Sequence, residues 1–375
     1  MNNMVKRYEL AVKGAGPAGL LAAREAANKG KSVIVFEEHR EIGVPEKCGG
    51  LVSLSGLIKM KVLPIQKIIN QRINFGQILF PEGERFEFDL TGSNLIVLNR
   101  EELDKRLALE AVKAGSEIKI GARLEDYKEL DNKVILKTPY EEYESDLLID
   151  SSGVAGYSNK RGLLPATQFI YAIKEGYYDG IAVFIDKELL PDFFGWYIPL
   201  GDGLIKVGSV GSPNLALKFI ERNLKTMNVS GYPIKTISSS LVVGGINEMT
   251  TKRTIKVGDA GGQTKPTTGG GIISGGMGGM LAGAETIKGS FADYSKNYDK
   301  LFGSELKRQL TLSKIYKKMA TKELLGIVSE IHKISNKLGE EEFDFHSRMI
   351  RRLSLNPVVL KALVQYIPEF FKDII

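Results

Sequence analysis

The sequence predicts a mixed α/β chain, α+β overall: a Rossmann-like nucleotide domain, an antiparallel-sheet domain interleaved with it, and a helical C-terminal region. Three observations predict it. Residues 8–38 read as strand, glycine-rich turn, helix and second strand, the βαβ unit of a dinucleotide site. Residues 168–211 carry strand-like runs in close succession, FIYAIKEGYY, GIAVFID, GWYIPL and LIKVGSV, with turn residues between them. From about residue 291 the chain turns charged and helical, interrupted at Gly303, Gly326, Gly339, Pro357 and Pro368.

The βαβ unit opens with an apolar run, Leu10, Ala11 and Val12, and turns through Gly14-Ala15-Gly16-Pro17-Ala18-Gly19. In such a turn the first glycine permits the tight bend and the second lets the backbone approach a pyrophosphate. The third lets helix and strand pack closely, so that phosphates sit on the helix N-terminus. Pro17 suits the first helical turn, where a missing N–H costs nothing. The second strand runs into Glu37, about 20 residues on, where a carboxylate accepts bonds from ribose hydroxyls. Glu38 beside it is the alternative carboxylate. A glycine turn alone is common in purely structural roles; strand, helix and carboxylate in register carry the nucleotide reading.

Further along, the loop of residues 39–50 contains Gly43, Pro45 and the run Pro45-Glu46-Lys47-Cys48-Gly49-Gly50. Two glycines directly after the thiol let the backbone there approach something closely. Residues 72–80 and 84–90 read as antiparallel strands of a second sheet. A strand and then a helix follow, the helix from Arg100 to about Ala114, with Leu103, Leu107 and Ala111 as its buried stripe and Gly115 as its cap. Residues 117–150 give short strands that end in Leu147-Leu148-Ile149-Asp150 and then Ser151-Ser152-Gly153. Ser212-Pro213 begins a helix with Ala216, Ile220, Leu224 and Met227 on one face. The last short parallel strand, residues 254–257, runs straight into Gly258-Asp259-Ala260-Gly261-Gly262. Residues 266–284 carry no charge but hold eight glycines, which makes them a loop and a closely packed helix rather than a membrane span.

At 375 residues, 43% apolar and 26% charged, the chain is long enough for two or three domains and a large core. One cysteine excludes an internal disulfide and suits a reducing cytoplasm, and no export signal precedes the first strand. The net charge of +6 favours anionic partners such as phosphates or an acidic lipid surface, although a solvated basic surface accounts for it equally well. His39, His332 and His346 fall in no ligand spacing, so no metal site is expected, and nothing points to nucleic acid.

The fingerprint at the N-terminus, combined with Val257-Gly258-Asp259-Ala260 far down the chain, resembles flavoprotein hydroxylases and their relatives. Three segments narrow the resemblance to the geranylgeranyl reductase family, of the archaeal FAD-dependent type acting on digeranylgeranyl glycerophospholipids. Residues 45–50 resemble its Pro…Cys-x-Gly loop. Phe194-Gly195-Trp196-Tyr197-Ile198-Pro199-Leu200-Gly201, followed by Val207-Gly208, resembles its substrate-lining stretch. Residues 258–285 resemble its flavin-binding turn, with Pro266 and Gly269-Gly270-Gly271-Ile272 in order. There are departures: Phe194 stands where the family has Tyr, Ile198 where it has Phe, and Lys13 where an apolar residue is usual. Ser152-Gly153 replaces the Asp-Gly pair by which hydroxylases use NADPH.

The resemblance implies FAD, held by residues 14–19, Glu37 or Glu38, Cys48, Gly49, Arg100, Gly258, Asp259, Gly270, Gly271 and Ile272. It implies a polyprenyl substrate lined by Gly50, Phe194, Trp196, Tyr197 and Pro199, and Cys48 as the catalytic residue. The FAD domain is then discontinuous, residues 1–60, 93–156 and 245–290. The substrate domain is residues 61–92 and 157–244, and the helical region residues 291–375. An isolated alkene does not accept a hydride readily, so saturating it also needs a proton donor in a dry, apolar site. A thiol, mostly protonated at neutral pH, can be that donor, although most free cysteines are small buried hydrophobes. The electrons come from ferredoxin or NAD(P)H. Two other readings stand beside this one: an aromatic monooxygenase, and an FAD-binding electron carrier without a substrate. The apolar end of the chain, residues 358–375 with Phe370 and Phe371, reads as a helix able to lie on a membrane surface or to pack on its own domain.

Overall fold

The computed structural model describes residues 5–63, 66–247, 250–334 and 340–353, with Pro357 beyond them; the expected helix at residues 358–375 lies outside the described residues. The chain divides into two compact units. The first comprises Met1–Glu46, Arg100–Gly162 and Val242–Leu306, and the second Lys47–Asn99, Leu163–Leu241 and Lys307–Ile375. Each is therefore built from three separate stretches of sequence. The fold class is the mixed α/β arrangement that the sequence predicts.

In the first unit, Lys6–Lys13 lies between Val33–Phe36 and Glu142–Asp150, all parallel. Glu117–Lys119 extends the sheet on one side, and Thr254–Lys256 pairs with the C-terminal half of Glu142–Asp150 on the other. The N-terminal half of that long strand instead pairs antiparallel with Val134–Lys137, which pairs in turn with Asp126–Glu129. Residues 10–12, Val33–Phe36 and residues 147–150 are buried, as parallel strands covered on both faces must be. Ala11, Ile34, Phe36 and Leu148 pack on one face with Val134, Leu136 and Tyr143.

The fingerprint helix Pro17–Ala27 packs against Ile272–Glu285 in this unit. A Cβ on Gly279 would stand 2.0 Å from the Ala18 carbonyl oxygen, and one on Gly283 2.2 Å from that of Ala22. Glycines four residues apart face one helix row, so the two backbones touch along a seam that no side chain could enter. That seam accounts for Gly279 and Gly283, while Gly275 and Gly278 make room for Gly258 and Gln263. Among the described residues no helix is long and apolar enough to cross a membrane.

The second unit has a seven-stranded sheet in the order Ser230–Val242, Leu163–Glu175, Leu204–Val210, Gly195–Gly201, Ile181–Phe184, Phe75–Leu79 and Arg85–Asp89. Two details differ from the sequence expectation. The sheet is mixed rather than wholly antiparallel, because Ile181–Phe184 and Phe75–Leu79 run parallel. The single strand expected at residues 72–80 is two, since Ile69–Ile73 belongs to a separate three-stranded sheet with Leu51–Ser53 and Leu95–Leu98. No Gly or Pro punctuates residues 73–75, so the break left no sequence signal. The helix Pro213–Thr226 begins as expected, with Leu215 N–H donating to the Ser212 hydroxyl at 3.4 Å, and buries Ala216, Phe219, Ile220 and Leu224. Residues Ile315, Met319, Leu324 and Val328 of the later helices pack on Phe80 and Phe88.

Candidate functional site

The first unit brings two glycine turns, far apart in sequence, into contact. Gly14 ends the first strand at φ +97°, and a Cβ there would stand 2.6 Å from the Ser151 carbonyl oxygen. Ser151 holds the turn: its Oγ lies 2.8 Å from the carbonyl oxygens of both Lys13 and Gly14. The late turn lies against the same helix start. A Cβ on Gly258 would meet the Ala18 side chain at 3.1 Å, and one on Gly275 the Gly258 Cα at 2.8 Å. Gly16 is the exception, because a Cβ there would meet nothing within 4 Å. The helix that Gly16 caps has no side-chain cap, so its first N–H groups face that opening. An uncapped helix N-terminus beside open space at the second glycine is the cradle a pyrophosphate requires.

Glu37 lies at the edge of this cradle. Its Oε2 accepts the Ala15 N–H at 2.8 Å, while its Oε1 accepts the His39 N–H at 2.9 Å and lies 2.6 Å from His39 Nδ1. The carboxylate is thus fixed in orientation, with one lone-pair direction on Oε2 left for a ligand hydroxyl. Glu38 turns away to an exposed pairing with Arg123 at 3.6 Å. Of the two adjacent carboxylates, Glu37 is the one in contact with the glycine turn.

Arg100 opens the helix Arg100–Lys113 and binds Asp104 through Nε at 3.2 Å and Nη2 at 2.9 Å, both side chains largely buried. Burial pushes the Asp104 carboxyl up from its ordinary value, against the pull of Arg100. The same two causes act on Asp259: burial raises its pKa and the Arg100 charge lowers it, so Arg100 lies within electrostatic reach. Among the described residues no hydrogen bond reaches the Asp259 carboxylate, whose Oδ1 would lie 3.2 Å from a Cβ on Gly271. Asp259 is half-buried, so its carboxylate stays within reach of a ligand, and ligand hydroxyls can supply donors to it. Gly271 caps Ile272–Glu285, again without a side-chain cap. The open cradle, the oriented Glu37 and the donor-less Asp259 together fit a dinucleotide with a polyol chain, as in FAD.

Sequence reading missed three participants here. His39 orients Glu37, and Ser151 ties the first turn. Lys265 is 8% exposed, and its Cε would lie 3.1 Å from a Cβ on Gly270. Each is an unremarkable residue type: Ser151 finds its partners far away in sequence, whereas His39 and Lys265 meet close neighbours that only the folded turn brings into contact. Ser152 donates to Asp150 at 2.5 Å, so its hydroxyl is already engaged.

In the second unit, Cys48 is half-buried, and Gly50 N–H donates to its Sγ at 3.4 Å. Gly50 adopts φ +86°, and a Cβ there would stand 2.8 Å from the Leu98 carbonyl oxygen. Gly49 lies under Ile198, whose Cδ1 would be 2.8 Å from its Cβ. Ile198 and Trp196 share a strand face and pack with Ile73, Leu95, Val97 and Leu51, forming an apolar wall beside the thiol turn. Strand alternation sends Tyr197 and Pro199 to the face opposite Trp196. The Tyr197 hydroxyl donates to the Tyr178 carbonyl at 2.8 Å and accepts from its N–H at 3.1 Å. Phe194, just ahead of the strand, stacks on Phe193 at 4.3 Å. Lys206 is a charged residue that reaches the thiol turn: fully buried, it donates to the Cys48 carbonyl at 3.1 Å.

Comparison with known proteins agrees with this geometry. Residues 12–44 match the model of the NAD(P)-binding Rossmann-like domain. The chain is 29% identical to digeranylgeranylglycerophospholipid reductase 2 of Methanopyrus kandleri, over 94% of this chain and 98% of that protein. A geranylgeranyl bacteriochlorophyll reductase-like protein from Thermoplasma acidophilum superposes with a TM-score of 0.83 at 20% identity, covering 96% of this chain and all 100% of that one. A flavin-dependent brominase superposes with a TM-score of 0.65 at 15% identity, over 95% of this chain and 100% of its own. Over nearly its whole length, and in its fold, the chain is related to the geranylgeranyl reductase family.

Proposed function

We propose that the chain is an FAD-dependent oxidoreductase that saturates C=C bonds of a geranylgeranyl chain, carried by an archaeal-type membrane lipid. The observation that carries the reading is full-length similarity to a digeranylgeranylglycerophospholipid reductase in a chain whose first unit joins the two glycine turns. When bound, reduced FAD supplies the hydride. In this reading Glu37 holds the ribose hydroxyls, Gly16 and the helix behind it admit the pyrophosphate, and Asp259 accepts from the ribityl chain. Gly271 and Ile272 present backbone N–H groups at the start of the second helix, beside Gly270, whose own N–H donates to the Thr268 hydroxyl. Trp196 and Ile198 keep water from the reacting carbons, and the Cys48 thiol gives the proton. The electrons enter from ferredoxin or NAD(P)H. The lipid meets the protein at a membrane surface, to which the net charge of +6 is suited where that surface is acidic.

The test is anaerobic stopped-flow reoxidation of the reduced holoprotein by a digeranylgeranyl lipid in detergent, with mass spectrometry of the product. Wild type should reoxidise and add a pair of hydrogens to each double bond reduced. Cys48→Ala should keep its FAD and its chemical reduction yet reoxidise about 10² to 10⁴ times more slowly, the usual contribution of a placed general acid. No reoxidation in wild type would favour an electron carrier, and equal rates in both would reduce Cys48 to packing.

A further inference from the structure

We propose that Lys206 is the positioning residue for Cys48: it holds the thiol turn by its carbonyl and stabilises the thiolate left when the proton has gone. The proposal rests on the reading of Cys48 as proton donor. Lys206 belongs to Leu204–Val210, an interior strand of the seven-stranded sheet, with Ile198 and Ile170 directly opposite on its two neighbours. Residues opposite one another share a sheet face, so the lysine projects among apolar side chains, and it is 0% exposed. An apolar residue would fill this place without cost, whereas a buried cation persists only where it is partnered. Its ammonium donates to the Cys48 carbonyl at 3.1 Å.

Contacts that carry no charge also hold the turn. Leu98 N–H donates to the Gly50 carbonyl at 2.9 Å, Ile198 covers Gly49, and Gly50 N–H points at the sulfur. Lys47, next in the chain, is exposed, so solvent and salt screen it; Lys206 is not screened in that way. Proton transfer breaks the S–H bond. The proton goes to one alkene carbon as the hydride reaches the other, and sulfur keeps the bonding pair. A thiolate against an apolar wall is disfavoured unless a cation stands near, and Lys206 is a cation hydrogen-bonded to the carbonyl of the same residue. Water returns the proton before the next turnover.

The chain has one cysteine, so alkylation of the holoprotein by iodoacetamide, followed by intact mass, reports Cys48 alone. Lys206→Gln keeps an N–H donor but removes the charge. It should slow alkylation at pH 7 about 10-fold, while Lys206→Arg stays within about twofold of wild type. Lys206→Met, unbranched and apolar, should behave as Gln does. Equal alkylation rates for wild type and the folded Gln or Met variant would overturn the proposal. So would loss of cooperative unfolding in both variants, which would make Lys206 a structural staple. Donor role and coupling fail separately. Normal lipid reoxidation in Cys48→Ala sinks the donor reading whatever Lys206 does, and charge-independent alkylation sinks the coupling whatever Cys48→Ala does.

Discussion

Gly16 separates a nucleotide site from a structural turn at the level of one residue. Its backbone, φ −79° and ψ 177°, is open to any residue, and its Cβ would touch nothing in the protein. Gly16→Ala should therefore leave the melting temperature of the FAD-free protein unchanged and weaken FAD at least about 10-fold, because the methyl fills the pyrophosphate's place. Equal FAD affinity, by fluorescence titration, would show that no phosphate lies there. Asp259 gives the converse case. Its folded pKa is raised by burial, so between the unfolded value and the folded one the native state binds more protons than the unfolded chain. Stability from this group therefore falls as pH rises through that window, and the cost remains at neutral pH. Asp259→Asn should raise the melting temperature of the FAD-free protein at pH 7 by a few degrees, roughly a 1 kcal/mol effect, with little change below pH about 4. FAD affinity should fall at the same time; a lower melting temperature would mean that the carboxylate has a partner within the fold.

Among the elements, the glycine seam decides most. Gly279 and Gly283 let Ile272–Glu285 touch the fingerprint helix backbone to backbone. Nothing flexible can yield to a methyl placed 2.0 Å from a carbonyl oxygen, so Gly279→Ala must push two helices apart. The expected loss is about 1–3 kcal/mol, as for overpacking elsewhere, read as a lower melting temperature together with weaker FAD binding. Gly326→Ala is the control, since a Cβ there meets nothing within 4 Å and alanine favours a helix. A Gly279→Ala protein as stable as the control would show that the helices are not in backbone contact.

For the whole molecule, the FAD-binding unit is assembled from three stretches of the chain, so its ligand stabilises only the assembled form. FAD at about 100 times its dissociation constant should add about 2.7 kcal/mol to unfolding, and the melting temperature should climb with ligand concentration. A melting temperature indifferent to FAD would contradict the reading at this scale.

The sequence by itself determined the βαβ unit, the two glycine turns, the helix caps at Ser212 and Gly115, and the fold class. All of these rest on local spacing, and local rules act within a few residues. It also singled out the thiol turn, because glycines after a cysteine are visible without a partner. Tertiary structure alone decided that Glu37 rather than Glu38 meets the turn, since both are carboxylates in adjacent places and only the packed strand orients one of them inward. Tertiary structure also turned Tyr197 away from Trp196, split residues 72–80 between two sheets, and gave His39, Ser151 and Lys206 their partners. Burial and long-range pairing are properties of the folded chain, and a lysine in a strand reads as a surface residue until the neighbouring strands enclose it.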